Sequence, residues 1–256
     1  MRAIKLKVYQ QTVNYKIPIS YEFRESYPLP PFSTVIGMIH YLCNYNSYHP
    51  MKVSVQGSHA STTNDLYTRY EFNNGTKYNA SRHQLNAEGM GIGRGIGNVQ
   101  LLVDVNLVLH IVPENQDEVE FIYKSLKTPR EFPNLGRRED LAVFENVEIV
   151  ELLEKKLEKD VNSGEFATPG KISVRKNWAA YIPIGEIEED SHEDTHQTSL
   201  QTGTRYRLNK VYTLNDLGRG KVVRKWEKHE VLYTNFTFFK HERYLIDSEG
   251  DFVFIV

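Results

Sequence analysis

In Val99-Gln100-Leu101-Leu102-Val103-Asp104-Val105-Asn106-Leu107-Val108-Leu109-His110-Ile111, apolar side chains recur at every second position: Leu101, Val103, Val105, Leu107, Leu109 and Ile111 oppose Asp104, Asn106 and His110. An apolar period of two predicts a half-buried strand. Downstream, Val119, Ile122, Tyr123 and Leu126 have helical spacing, and Pro129 and Pro133 end that helix before a strand around Ala142–Val150. Upstream, Ile4, Leu6 and Val8 alternate with Lys5, Lys7 and Tyr9 as a first strand. After the Pro-rich stretch Tyr27–Pro31, Phe32, Val35, Ile36, Ile39 and Leu42 predict a helix starting near Ser33 or Thr34, and Met51, Val53 and Val55 a short second strand. The order is strand, helix, strand, insertion, strand, helix, strand. It predicts an α+β chain with a ferredoxin-like unit over residues 1–152, an order shared with RNA-recognition domains. Residues 153–256 read as a small β-rich C-terminal part. Strands are expected near Val174–Ile184, Tyr206–Leu214, Val231–His241 and Phe252–Val256, with a short helix at Leu152–Lys159.

The formal charge of −2 gives no global pull towards nucleic acid, so any such site needs uneven charge. Gly203–His229 holds eight basic residues against two acids, whereas Glu186–Asp194 holds six acids and no Lys or Arg. Cys43 is the only cysteine, which excludes an intrachain disulfide and a cysteine-based zinc site and fits a reducing, cytoplasmic setting. No apolar run approaches the roughly 20 residues of a membrane-spanning helix, so no membrane partner is expected. The histidines show no HxH or HExxH spacing, and His192, Glu193, Asp194 and His196 lack a complementary ligand set. Neither a metal nor a cofactor is expected.

Residues 58–98 form a long polar insertion ending in Gly89-Met90-Gly91-Ile92-Gly93-Arg94-Gly95-Ile96-Gly97. Such a segment has too little apolar surface to order itself and is expected to order against a partner. Gly93, Arg94 and Gly95 are candidate phosphate contacts, because glycines admit positive φ and close backbone approach; a flexible hinge without RNA contact is the structural alternative. Tyr67, Arg69, Tyr70, Phe72, Lys77, Tyr78 and Arg82 interleave rings with cations, the mix that stacks unpaired bases and neutralises phosphates. The same rings could instead pin the insertion to its neighbours.

Two motifs carry a resemblance. Arg24-Glu25-Ser26-Tyr27-Pro28-Leu29-Pro30-Pro31-Phe32-Ser33-Thr34 is similar to the start of the first helix in the Cas-five family of CRISPR-associated RAMP proteins, and Pro133-Asn134-Leu135-Gly136-Arg137-Arg138-Glu139-Asp140 resembles that family's glycine-arginine-glutamate loop. The resemblance covers roughly residues 1–150 and looks closest to subtype I-B members. It implies an RNA-recognition-like domain with a protruding thumb at 58–98, in a subunit that caps one end of a Cascade complex. Such a subunit cradles the 5′ handle of the crRNA, touches the backbone and large subunits, and leaves target DNA to guide base pairing.

Arg24, Ser33, Arg69, Tyr70, Lys77, Arg82, Gly93, Arg94, Gly95, Gly136, Arg137 and Arg138 are the expected RNA-binding residues. Of the adjacent arginines, one can reach phosphate while the other pairs with Glu139 or Asp140. Lys171, Arg175, Lys176 and Trp178, with the basic cluster, could extend the RNA groove or meet an acidic subunit. A second reading is a metal-independent endoribonuclease, as in subtype I-C relatives. His40, Tyr41, Tyr45 and His110 are its candidates, but no Lys-His pair follows the third strand. A plain protein-interaction module is the third.

Overall fold

The computed structural model describes residues 1–162, 166–168, 172–184, 203–218, 220–235, 237–238 and 243–256. Lys171, Arg219, the acidic stretch Glu186–Asp194 and His196 lie outside the described residues. The elements are β1 (Arg2–Val13), α1 (Phe32–Leu42), β2 (Met51–Ser58), β3 (Ser61–Lys77), β4 (Leu85–Ala87), β5 (Met90–Pro113), α2 (Val119–Lys127) and β6 (Val143–Lys156). After them come β7 (Val161–Asn162), β8 (Phe166–Thr168), β9 (Ile172–Ser173), β10 (Ala179–Pro183), β11 (Thr204–Asp216), β12 (Val222–Asn235), β13 (Thr237–Phe238) and β14 (Arg243–Asp247).

A large antiparallel sheet runs in the order β11-β12-β10-β2-β5-β1-β6-β14, with β3 and β4 also paired to β5. Both helices cover one face. Ile4, Leu6 and Val8 of β1, Val53 and Val55 of β2, and Leu107, Leu109 and Ile111 of β5 meet Phe32, Val35, Ile36 and Ile39 of α1 and Val119, Ile122 and Leu126 of α2 in one core. The helical spacing turns one stripe of each helix towards the sheet. Tyr181 of β10, Leu208 of β11 and Val231 of β12 join the same core. The sheet therefore continues past residue 152, which itself lies within β6.

Several expectations are corrected. The insertion forms a regular β-ribbon of β3, β4 and β5, in which β5 begins at Met90, well before Val99. Backbone pairing orders this polar stretch without a core, and Glu88 and Gly89 turn the β4–β5 hairpin with φ of 49° and 83°, the positive values that a tight hairpin turn requires. Within β5, Asp104 adopts φ 53° and breaks the alternation, so Leu102 joins the main core in place of Leu101 and Val103. The Leu152–Lys159 helix does not form: β14 pairs Leu152 to Lys156 as strand, and sheet pairing overrides helix propensity. β12 starts at Val222, upstream of the expected Val231. Phe252–Val256 is not a strand but crosses the sheet as a strap.

That strap covers the face opposite the helices. The amide of Phe254 donates to Ser54 Oγ (2.9 Å), Gln56 Nε2 donates to the Phe252 carbonyl (2.8 Å), and Val53 and Val256 exchange backbone bonds at 3.1 Å. Beneath it lies a buried ionic cluster. Lys5 Nζ sits 2.7 Å from Asp247, 2.7 Å from Asp251 and 3.0 Å from Glu249, while His110 Nε2 lies 3.0 Å from Asp247. Burial opposes the Lys5 charge, but Asp251 and Asp247 outweigh it and raise its pKa. Burial likewise opposes ionised Asp247, yet His110 and Lys5 hold its carboxyl well below the usual range.

Candidate nucleic-acid interface

The loop after α2 is built from beneath. Gln10 of β1 donates through Nε2 to the carbonyls of Leu135 (2.9 Å) and Asp140 (3.2 Å), and Tyr15 fixes Gln10 by donating to its Oε1 at 2.6 Å. Asp140 is buried and accepts from the amides of Asn14 (3.1 Å) and Arg137 (2.8 Å). Gly136 has φ 118°, and an added Cβ would stand 2.8 Å from both Asp140 Oδ2 and Val13 Cγ2. The turn therefore needs glycine for conformation and for space.

The two arginines divide the work. Arg137 places Nη2 2.6 Å and Nε 3.0–3.1 Å from the Asp140 carboxylate, and Nη1 3.1 Å from Glu139. Partial burial acts against its charge, but Asp140, Glu139 and, at longer range, Asp65 of β3 keep it protonated. Arg137 is thus the internal clamp. Arg138 is exposed and forms no ion pair among the described residues. Its charge is felt at Tyr41 and Glu131, which hydrogen-bond to each other.

Arg24 approaches the same region from the other side of β1. Its φ is 43°, unusual for a residue with a Cβ, and Asn14 Nδ2 holds its carbonyl at 2.8 Å. Its guanidinium lies 4.4 Å from the centre of the Tyr67 ring, a cation–π contact. Tyr67 in turn covers Gly97, its partner across the ribbon, where an added Cβ would meet the ring at 2.6 Å. A Cβ at Gly91 would strike His83 at 2.2 Å. Gly91 and Gly97 thus make room for side chains, whereas a Cβ at Gly93 or Gly95 would meet no clash, and none of the four has the positive φ expected of them; only Gly89 in this run does.

The remaining expected residues are not brought together. Arg69 pairs with Glu71 on the ribbon, and the Arg94 amide donates to Gln84 (2.9 Å). Gly93 and Gly95 pair with Glu71 and Arg69 in the ladder, while Tyr70 stands opposite Arg94 on the other face. Lys77 pairs with Met90 and Tyr67 with Gly97, seven residues apart on β5, roughly 24 Å, and Arg82 is exposed in the distal turn. Ser33 stands half-buried in the first turn of α1. Asn14 and Gln10 support the candidate interface although sequence reading did not assign them there, and Tyr67, expected among the rings of the insertion, is placed against Arg24. Only strand register reveals their positions.

The nuclease candidates are only partly brought together: the His40 and Tyr45 rings meet edge to face at 5.4 Å. His110 is fully buried on the strap face, kept neutral by burial against the pull of Asp247. His40 lies near the end of α1, its Nδ1 2.9 Å from the Ile36 carbonyl and its Nε2 accepting the His49 amide at 2.9 Å. Tyr45 stacks on His49 and donates to Glu118 at 3.0 Å, and burial followed by that bond pushes its pKa far up. Tyr41 is exposed and bonded to Glu131. Among the described residues, no group of three or more His, Cys, Asp or Glu is placed to hold a metal, and no helix is long and apolar enough to cross a membrane.

The family model for CRISPR-associated protein (Cas_Cas5) matches residues 3–213. The chain belongs to the Cas5 family. No curated protein matches it. A chain of a CRISPR RNA-guided surveillance complex superposes with a TM-score of 0.51 at 16% identity, covering 92% of this chain and 91% of that one. This likeness shows the fold. A crystal structure of a Cas protein (TM-score 0.41, 11% identity, 93% and 95% covered) and a CRISPR protein from Archaeoglobus fulgidus (TM-score 0.39, 10% identity, 98% and 92% covered) are more distant.

Proposed function

We propose that this Cas5 protein is a non-catalytic subunit of a Cascade-type surveillance complex that holds the 5′ handle of the crRNA. The carrying observation is the divided arginine pair: Arg137 is bound to Asp140 while Arg138 stands exposed beside it. A clamped loop presents Arg138 to phosphate without first having to order itself. Arg24 and Tyr67 add a cation and a ring near the same end of β1. The core order β6-β1-β5-β2, antiparallel throughout with both helices on one face, supports the ferredoxin-like, RNA-recognition reading. The β3–β5 ribbon is then the thumb, reaching towards the backbone subunit. In support of a non-catalytic role, both ring nitrogens of His40 are engaged and His110 is sealed away.

The test is guide retention against salt for Arg138→Ala and Arg137→Ala. Arg138→Ala should lower the log–log salt slope by about 0.7, the value for one single-strand phosphate, and leave the melting temperature unchanged. Arg137→Ala should lower the melting temperature. Unaltered retention and slope in Arg138→Ala would remove the basis of this reading.

A further inference from the structure

The basic cluster between Gly203 and His229 folds into the β11–β12 hairpin, and strand register sorts its charges by face. Arg205, Arg207, Asn209 and Tyr212 of β11 stand opposite Leu232, Glu230, Lys228 and Trp226 of β12, with one extra residue accommodated between Asn209 and Tyr212. Arg224 lies two residues from Trp226, on the same side. This is the face opposite the buried Leu208 and Val231. Arg205, Arg207, Arg224 and Lys228 are all exposed, and among the described residues none of them forms an ion pair. Glu230 is the one acid between Arg205 and Arg224 on this face, whereas Glu227 is turned to the other side and pairs with His229 at 2.8 Å.

The stripe from Arg205 to Arg224 spans eight residues of β12, roughly 27 Å, or about eight base pairs of duplex. Tyr212 and Trp226 pack edge to face at 5.0 Å, and Arg224 covers the Tyr212 ring at 4.5 Å. Tyr212, though 39% exposed, is engaged by both Trp226 and Arg224, so the rings hold the cation in place, which favours a continuous backbone over splayed bases. The stripe also points away from the Arg138 loop. β12 pairs with β10 only from Val231 to Asn235, and β10 meets β2 at Gln56 and Gly57. The hairpin therefore extends past the Met51 end of β2, while the ribbon and the loop lie beyond its Ser58 end.

We propose that the outer face of the β11–β12 hairpin is a second nucleic-acid contact, gripping the sugar–phosphate backbone of duplex DNA. It does not depend on the handle reading.

The test uses the full chain with Arg205, Arg207, Arg224 and Lys228 all changed to Gln, probed with duplex DNA and, separately, with single-stranded handle RNA. Each lost duplex contact removes about 0.9 from the log–log salt slope. The slope for duplex should therefore fall by about 3.6, so that between about 50 and 200 mM salt the parent loses about 150-fold more affinity than the variant. Handle binding should be unchanged, and the four Lys or Arg exchanges that keep charge should keep the slope. The proposal is overturned by a parent chain that does not bind duplex at about 50 mM salt, or by a variant with unaltered duplex slope. Loss of handle RNA alone would make the stripe a guide contact. Loss of a protein subunit from the assembled complex with duplex binding intact would make it a protein interface.

Discussion

Replacing Lys5 with Met tests what holds the C-terminal strap to the sheet. Lys5 Nζ is the cation shared by Asp247 and Asp251 at 2.7 Å each and by Glu249 at 3.0 Å, and its side chain is 1% exposed. Met fills a similar volume but takes the lysine from the buried Asp247, while Asp251 keeps Arg175 at 2.8 Å; breaking a buried pair in this way costs about 3–5 kcal/mol, or roughly 10 °C in melting temperature for a chain of this size. The pH dependence separates this cause from a packing defect. In the parent, the Asp247 pKa is depressed from its ordinary 3.8, so its stabilisation is fully present above that value and is lost as pH falls below it. In Lys5→Met the facing carboxylates gain protons at higher pH, so the variant's deficit should shrink between pH 7 and about pH 4.5. Urea denaturation followed by far-UV circular dichroism at both pH values measures it. A deficit below about 1 kcal/mol, or one that does not vary with pH, would refute the reasoning.

Burial lowers the His110 pKa below its ordinary 6.5, so the unfolded chain takes up a proton there that the folded one resists; the parent should therefore lose stability on this account as pH falls through 6.5, and His110→Gln should lack that component in denaturant titrations. Gly97→Ala should expel the Tyr67 ring, release Arg24 from it and weaken guide retention, read by crosslinking to labelled guide RNA, with little effect on the melting of the core. The chain with a chelator present should leave repeat RNA uncut; discrete cleavage at the handle boundary that disappears in His40→Ala would establish the nuclease alternative.

How far the sequence revealed this molecule depends on the range of the interactions involved. Ile4, Leu6 and Val8 in β1 and the helical spacing from Phe32 to Leu42 were legible because period and burial agree locally. Gly136 and Arg137 were legible too, since their partner Asp140 is only three or four residues away. The Arg24–Tyr67–Gly97 stack was not, because it needs the β3–β5 register, and a run of glycines reads as flexible until the ring that covers them is known. Leu152–Lys159 looked helical because its Glu and Lys residues favour helix, and only the distant Arg243–Asp247 strand turns it to sheet. His110 looked available beside its apolar neighbours, and only the strap from Phe252 onward closes over it.

The buried carboxylate explains why the loop carries two arginines. At 2% exposure the Asp140 side chain needs strong donors, and the Asn14 and Arg137 amides with the Arg137 guanidinium supply them. A lone arginine committed to that task could not also reach a phosphate. The next residue can, because one step along a turn redirects the side chain while the clamp keeps its backbone fixed. Binding through Arg138 then costs little more than ordering one side chain, about 0.5–1.5 kcal/mol. Rigidity beneath and exposure above are thus two consequences of one local sequence, Gly136-Arg137-Arg138-Glu139-Asp140.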